Sequence, residues 1–472
     1  MTPDPAPGGG CRPVPPVLLF ASYHAYLDHS SGAALATRDL FEALSARGWS
    51  CRVVCGPALD YGDGRGPAEV LREHQIPHHL ERCAPPTGER YELFHYALNG
   101  VPVCQYRPET FAPHRPATRA QGVPFLDVVS RACARFHPDV VLTYGGLPFA
   151  AHLMRRVRRA GARVLFCLHN FDYRDPELLR AADALWVPSE FARAAYRARV
   201  GVDAAAVPWP WDHARVRAER ADGRFVTFVN PVPVKGVAWF ARIAAEAYRR
   251  RPDIPFLVVE GRGGADGLRR LPIDLSALTN LNVMRSTPRP GAFYARSRVV
   301  LMPSLWEETF GRVAAEALVN GIPVLATRRG ALPETLGGAG LLFDVPGRYT
   351  EPARMSDVPA PAEVAPWVAK IERLWDEPAF YAEHRERALE RARVWEPERL
   401  CAGAGAFLKR VGRGAPDRRH RTAAAGTGAG GLSRRACGTR APAPRSRAGH
   451  RRNTPVPRHQ ARPSKRWFGS PS

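Results

Sequence analysis

Two glutamates, Glu308 and Glu316, stand with seven residues between them in the stretch Pro303-Ser-Leu-Trp-Glu-Glu-Thr-Phe-Gly-Arg-Val-Ala-Ala-Glu316. An apolar run ends at Pro303, a loop carries the first acid, and helical spacing begins near Gly311. At about 3.6 residues per turn, Glu308 precedes the helix and Glu316 lies about one and a half turns inside it. Carboxylates so placed cannot form the close acid/base pair of a retaining glycosidase. They can instead reach two sets of hydroxyls on either side of a diphosphate held at the helix start, where backbone N–H groups and the helix dipole favour an anion. An ionised carboxylate only accepts hydrogen bonds, which suits the vicinal hydroxyls of a sugar and of a ribose. For either glutamate alone, a solvated helix with an ordinary acid is the plainer reading. For the whole stretch, including Gly321-Ile-Pro-Val324 and Gly330-Ala-Leu-Pro-Glu334, it is not.

Other residues able to do chemistry are scattered more thinly. Lys235, before Gly236, is one of few lysines in an arginine-dominated chain. His169 ends an apolar run, where a strand-end histidine with ordinary hydrogen bonds is the alternative to a site residue. Arg155, Arg156, Arg158 and Arg159 form one basic helical face, read first as solvated and second as a contact for an anionic membrane surface. His24 and Asp28 lie in the first loop, where contact with an acceptor is the less favoured reading. No D-x-D occurs, so the usual carboxylate metal clamp is missing, and no metal or other cofactor is expected.

The elements that must position these residues alternate. Val17–Ser22 reads as a buried strand, His29–Gly32 as a loop and Leu35–Arg47 as a helix stopped by Gly48, with a second strand at Cys51–Cys55. Val140–Tyr144, Arg163–His169 and Ala184–Pro188 are further predicted strands, Phe149–Ala160 is a predicted helix, and Ser189 caps a helix over Glu190–Arg199. The prolines of Val207-Pro-Trp-Pro-Trp-Asp212 break the rhythm and mark a linker. After it come predicted strands at Phe225–Asn230, Phe256–Glu260, Val299–Pro303 and Val324–Thr327, with helices at Val237–Arg250 and Gly311–Asn320. Pro361–Val411 reads as helical, whereas Tyr61–Gln121 shows no readable pattern. The expectation is an α/β protein with two doubly wound Rossmann-like domains facing across a cleft. Its expected divisions are a disordered leader (1–15), an acceptor-side domain (16–206), a nucleotide-sugar-binding domain (207–396), a closing helix (397–411) and a disordered basic tail (412–472).

Pro303-Ser304, the Glu308/Glu316 pair, Phe310-Gly311, Glu316-Ala317, Gly321-Ile-Pro-Val324, and Gly330 followed by Pro333-Glu334 together closely resemble the group 1 glycosyltransferases of family 4. The resemblance covers roughly Val17–Val411, strongly in the second half and loosely in the first. It implies the two-domain GT-B fold and a metal-independent, retaining sugar transfer. It also implies roles residue by residue. Glu308 would approach the transferred sugar, and Glu316 would hold ribose hydroxyls. Thr309, Phe310 and Gly311 would offer backbone to sugar and phosphate, and Lys235 would neutralise the diphosphate. Gly32 would sit beside the donor phosphate and His169 near the reacting sugar. Two positions depart from the family. Asn230 stands where an arginine usually precedes the lysine by five residues, so the clamp lacks one charge unless Arg262 supplies it. The first loop reads Ser30-Ser31-Gly32 rather than a double glycine.

Composition sets the remaining bounds. The 472 residues suit two domains plus extensions. The formal net charge of +23 looks like a nucleic-acid signature, but fifteen Lys/Arg against one Asp within 412–472 account for +14 of it. The modest excess left suits an anionic substrate or membrane surface, and no specific nucleic-acid partner is expected. Nine scattered cysteines without a C-x-x-C pair read as free thiols in a reducing cytoplasm. With no apolar run of 18 residues and no leader-like h-region, the expected location is cytoplasmic, with peripheral contact at the inner membrane face as a further expectation. The function read from all this is transfer of a sugar from a nucleotide-sugar donor to a hydroxyl of a glycan, lipid or small molecule. Two alternatives remain open at the level of sequence: a sugar-nucleotide epimerase, and a non-catalytic partner protein with a nucleic-acid-binding tail.

Overall fold

A computed structural model describes residues 15–59, 65–86, 88–112, 115, 117–219 and 223–413. The expected leader up to residue 14 and the basic tail from residue 414 lie outside the described residues.

The first half begins β1 (Leu18–His24), α1 (Gly32–Ser45), β2 (Cys51–Ala58), α2 (Pro67–Glu73), β3 (His78–Cys83), β4 (Tyr91–Leu98) and β5 (Val101–Pro108). It continues with α3 (Arg119–Phe136), β6 (Val140–Thr143), α4 (Ala150–Arg159), β7 (Arg163–Cys167), α5 (Pro176–Arg180), β8 (Ala184–Val187), α6 (Glu190–Val200) and β9 (Ala205–Ala206). Its nine strands are ordered β3-β4-β5-β2-β1-β6-β7-β8-β9. From β5 onward along that order the strands are parallel, and β1 is 0–3% exposed at its apolar positions. Burial on both faces explains why these strands read as unbroken apolar runs.

The stretch without a readable pattern folds as an antiparallel meander at one edge. β3 pairs β4, and β4 pairs β5 in full register from Tyr91↔Pro108 to Leu98↔Val101. Asn99 (φ 47°) and Gly100 (φ 81°) form the two-residue turn between β4 and β5. Both have positive φ, as a hairpin of this length demands.

The second half contains α7 (His213–Val216), β10 (Phe225–Val229), α8 (Val237–Arg250), β11 (Phe256–Val259), α9 (Asp266–Arg269), β12 (Leu281–Met284), α10 (Gly291–Tyr294) and β13 (Ser297–Met302). There follow α11 (Arg312–Val319), β14 (Val324–Thr327), α12 (Leu332–Leu336), β15 (Leu341–Phe343), α13 (Pro361–Asp376), α14 (Pro378–Ala392) and α15 (Pro397–Gly412). The strand order is β12-β11-β10-β13-β14-β15, all parallel. This is the doubly wound order, and it reverses direction between β10 and β13.

Each sheet has a core on both faces. In the first half, the cluster containing Leu18, Phe20, Phe41 and Leu165 also takes in Ala404, Phe407 and Leu408 of α15. The last helix therefore returns to the first sheet, and the Phe407 ring lies 5.1 Å from Trp186. Trp186 also stacks on Trp209 of the Pro-Trp-Pro-Trp connection at 4.1 Å, and its indole N–H donates to the Val207 carbonyl at 2.7 Å. The described cysteines are unpaired thiols. No helix among the described residues is long and apolar enough to cross a membrane.

Candidate functional site

In an open parallel sheet, ligands bind beyond the carboxyl ends of the strands where the strand order reverses. For the second sheet that crevice lies between the segments following β10 and β13. The first carries Asn230 and Lys235; the second carries Ser304, Glu308 and Gly311. The topology thus brings together two motifs more than 70 residues apart, and the side chains complete the meeting: Lys235 Nζ lies 2.5 Å from Glu308 Oε1. The approach depends on Gly236, whose φ is +81° and where a Cβ would overlap the Pro303 carbonyl oxygen. Only glycine tolerates both conditions.

Glu308 is 6% exposed, and its Oε1 also accepts from Ser304 Oγ at 2.8 Å. Burial pushes the carboxyl up, but the Lys235 ammonium and the hydrogen bonds to the carboxylate outweigh it, so the group is held below its ordinary value and stays ionised. Lys235 in turn lies 4.6 Å from the centre of the Trp306 ring, a cation–π distance. The Glu308 backbone is fixed by Gly330. The Ala331 N–H donates to the Glu308 carbonyl at 2.8 Å, and a Cβ on Gly330 (φ +61°) would overlap the Glu308 N and O.

Gly311 (φ +85°) precedes α11 and supplies no side-chain cap. No side chain caps the amides at the start of this helix. Thr309 and Phe310 form the loop before it. The Thr309 hydroxyl donates to the His169 carbonyl at 2.8 Å, and Thr335 Oγ1 donates to the Phe310 carbonyl. Glu316, on α11, is 4% exposed; its Oε1 receives Arg312 Nε at 2.5 Å and its Oε2 the Tyr294 hydroxyl at 3.0 Å.

His169 comes from the first half, just beyond β7. Its ring centre lies 5.2 Å from Tyr144 and 4.9 Å from Trp209. Its Nε2 is buried and has no hydrogen-bond partner among the described residues. Burial lowers its pKa to about 3, so the imidazole is neutral at physiological pH. A buried nitrogen without a partner carries a desolvation cost.

Several segments tie the halves together around this site. Ser189, the N-cap of α6, accepts from the Ala192 N–H at 3.0 Å and donates to the Thr309 carbonyl at 2.6 Å. The Glu334 carboxylate accepts from the Glu190 and Phe191 amides at 3.0 and 2.8 Å. Glu334 of the Gly-Ala-Leu-Pro-Glu motif therefore caps a helix of the other half. Arg199 Nη2 bonds Glu307 Oε1 at 2.9 Å.

The structure also places four other features singled out in the sequence. Asn230 is in the left-handed region (φ 65°), and its Oδ1 accepts from the Gly263 N–H at 3.0 Å. The structure gives that oxygen the work of joining the loops after β10 and β11. Asparagine is among the few non-glycine residues that adopt this backbone readily, which accounts for its presence where an arginine was looked for. Arg262 is exposed within the loop that Asn230 holds. Asp28 builds its own loop, accepting from Ser30 N and Oγ at 2.9 and 2.7 Å. On the basic face of α4, Arg156 pairs with Asp127 and Arg158 with Asp183, and Arg155 and Arg159 are exposed. Gly32 opens α1 behind the cap Ser31, and a Cβ there would meet nothing within 4 Å. The protein's own packing does not require a glycine at that point.

Sequence reading missed Asp39, Arg215, Arg312 and Tyr294. Arg312 carried a signal, standing four residues before Glu316 on one helix face. Asp39 carried another, an acid on the apolar face of α1. Among the described residues, no group of three or more His, Cys, Asp or Glu could hold a metal ion.

Two Rossmann-like α/β sheets in succession give the chain the GT-B fold. Residues 223–353 match the family model described as Glycosyl transferases group 1. The chain is 33% identical over 168 residues to the D-inositol 3-phosphate glycosyltransferase of Pseudarthrobacter chlorophenolicus, a match covering 34% of this chain and 36% of that protein. The matched region thus spans about a third of this curated relative. The fold is shared over much more of the chain. Sucrose-phosphate synthase from Thermosynechococcus elongatus superposes with a TM-score of 0.59 at 17% identity, covering 84% of this chain and 99% of that one. Anabaena HepE in complex with UDP gives 0.57 at 16% identity, covering 84% and 100%.

Proposed function

We propose that this chain is a retaining, metal-independent glycosyltransferase that moves a sugar from a nucleotide-sugar donor to a hydroxyl acceptor. The observation that carries the reading is the ionised Lys235–Glu308 pair at the strand-order switch point, beside a helix start without a side-chain cap. The match to the group 1 family over residues 223–353 supports it, because Lys235, Glu308 and Glu316 all fall within that stretch.

The division of labour follows from chemistry. As the bond between sugar and phosphate lengthens, positive charge grows on the sugar and negative charge on the leaving diphosphate. Lys235 and the amides at the start of α11 meet the negative charge, which supports a reaction that runs without a metal. Glu308 accepts from sugar hydroxyls and Glu316 from ribose hydroxyls. The neutral His169 offers Nε2 to the sugar from the opposite side of the cleft. In this reading the acceptor hydroxyl attacks from the face the diphosphate leaves and passes its proton to the departing phosphate oxygen, giving retention. The two halves exclude water from that face, which favours transfer over hydrolysis.

A screen of UDP-, GDP- and ADP-sugars against glycan, lipid and small-molecule hydroxyl acceptors tests the proposal. NMR of the product reads the anomeric configuration. A product keeping the donor configuration is expected; an inverted product would overturn the retaining mechanism, and an epimerised donor without transfer would overturn the assignment as a transferase.

A further inference from the structure

Two buried carboxylates, Asp39 and Glu316, and two part-buried arginines, Arg312 and Arg215, join the two halves. Arg312 lies between two carboxylates: its Nε is 2.5 Å from Glu316 Oε1 on its own helix, and its Nη2 is 2.5 Å from Asp39 Oδ2 on α1. The second Asp39 oxygen is taken by Arg215 Nη2 from α7. The Asp39 side chain is wholly inaccessible to solvent. Two guanidinium groups and two carboxylates leave the cluster without net charge, the condition under which buried ions persist.

We propose that Arg312 is the positioning residue for Glu316, and that Asp39 holds Arg312 in place, so that recognition of the donor ribose is completed only by the first half of the chain. This rests on the assignment of Glu316 to the ribose given above. Arg312 and Tyr294 each occupy one Glu316 oxygen, from two directions. The carboxylate is thereby locked in orientation, while each oxygen keeps a lone pair for a hydroxyl. A planar guanidinium can hold two carboxylates in fixed relation, which a lysine cannot do. Asp39 lies about two turns along α1 from Gly32. The helix assigned to the donor phosphate thus also anchors the arm that aims the ribose acceptor.

Isothermal titration of the full chain with a ribonucleoside diphosphate and its 2′,3′-dideoxy counterpart tests this, using UDP, GDP and ADP to find the base. Wild type binds the ribonucleotide more tightly. Arg312→Gln weakens ribonucleotide binding by about tenfold, the scale of a misdirected charge-assisted hydrogen bond, and changes dideoxynucleotide binding by less than about twofold. Asp39→Asn, nearly isosteric, shifts affinity in the same selective direction and decides the matter alone if Arg312→Gln does not fold. Equal losses for both ligands in either folded variant, or no loss for either, would overturn the positioning role. A wild type that binds diphosphates without preferring ribose would overturn it too, while leaving the donor site standing. A wild type that binds none of the three diphosphates would bring down the donor-site reading itself, and this proposal with it.

Discussion

Lys235 and Glu308, from segments following two adjacent strands of one sheet, meet at 2.5 Å with Glu308 almost fully buried. Each satisfies the other's charge, so the pair fixes its own geometry. A donor diphosphate arriving at Lys235 would find a cation already fixed in place. Lys235→Met should therefore do two things. Loss of the phosphate-facing charge should reduce turnover by about 10²–10³-fold. Stranding the buried Glu308 carboxylate should lower folding stability by about 3–5 kcal/mol. Single-turnover kinetics and denaturant unfolding read the two effects separately.

His169 imposes an acid sensitivity. Its folded-state pKa of about 3 lies below the ordinary 6.5, so between these values the unfolded chain binds the proton first. Its contribution is fully present above pH 6.5 and is lost as pH falls toward 3. His29, lowered to about 4 chiefly by burial, acts in the same direction. His169→Phe should flatten the decline in melting temperature between pH 6 and 4, whereas a parallel decline in both proteins would contradict the assignment.

Glu334 should matter to a helix it does not belong to. Glu334→Ala removes the acceptor of the Glu190 and Phe191 amides at the start of α6. Loss of such a cap costs about 1 kcal/mol. Hydrogen exchange should accelerate at those two amides while the core of the second sheet stays protected.

Gly330→Ala tests the support beneath Glu308. A methyl group there would overlap the Glu308 backbone in a conformation with positive φ. The variant should lose about 1–3 kcal/mol and bind nucleoside diphosphate more weakly. Thermal unfolding and titration check both.

The second half was legible because its signals are local. Buried parallel strands read as apolar runs, and α8 and β14 fall on the residues that spacing predicts, Val237–Arg250 and Val324–Thr327. Lys235, Glu308 and Glu316 stood out for a related reason, since each lies in a compact motif. The meander of β3, β4 and β5 was missed although Asn99-Gly100 between apolar stretches is a strong hairpin signal. Asp39 was missed for a deeper reason. Its partner Arg312 lies 273 residues away on the other half, and no periodicity within α1 encodes how two sheets will meet. Asn230 looked like a missing charge from its position in a motif. Only the backbone showed a left-handed residue joining two loops.

The most direct test of the account is nucleoside diphosphate release from a panel of nucleotide sugars, measured for wild type and for Glu308→Gln at matched folded concentration. Wild type should release diphosphate from at least one donor, and Glu308→Gln should release it about 10²-fold or more slowly. Equal rates for the two proteins, or no release from any donor by wild type, would contradict the assignment of this site to sugar transfer.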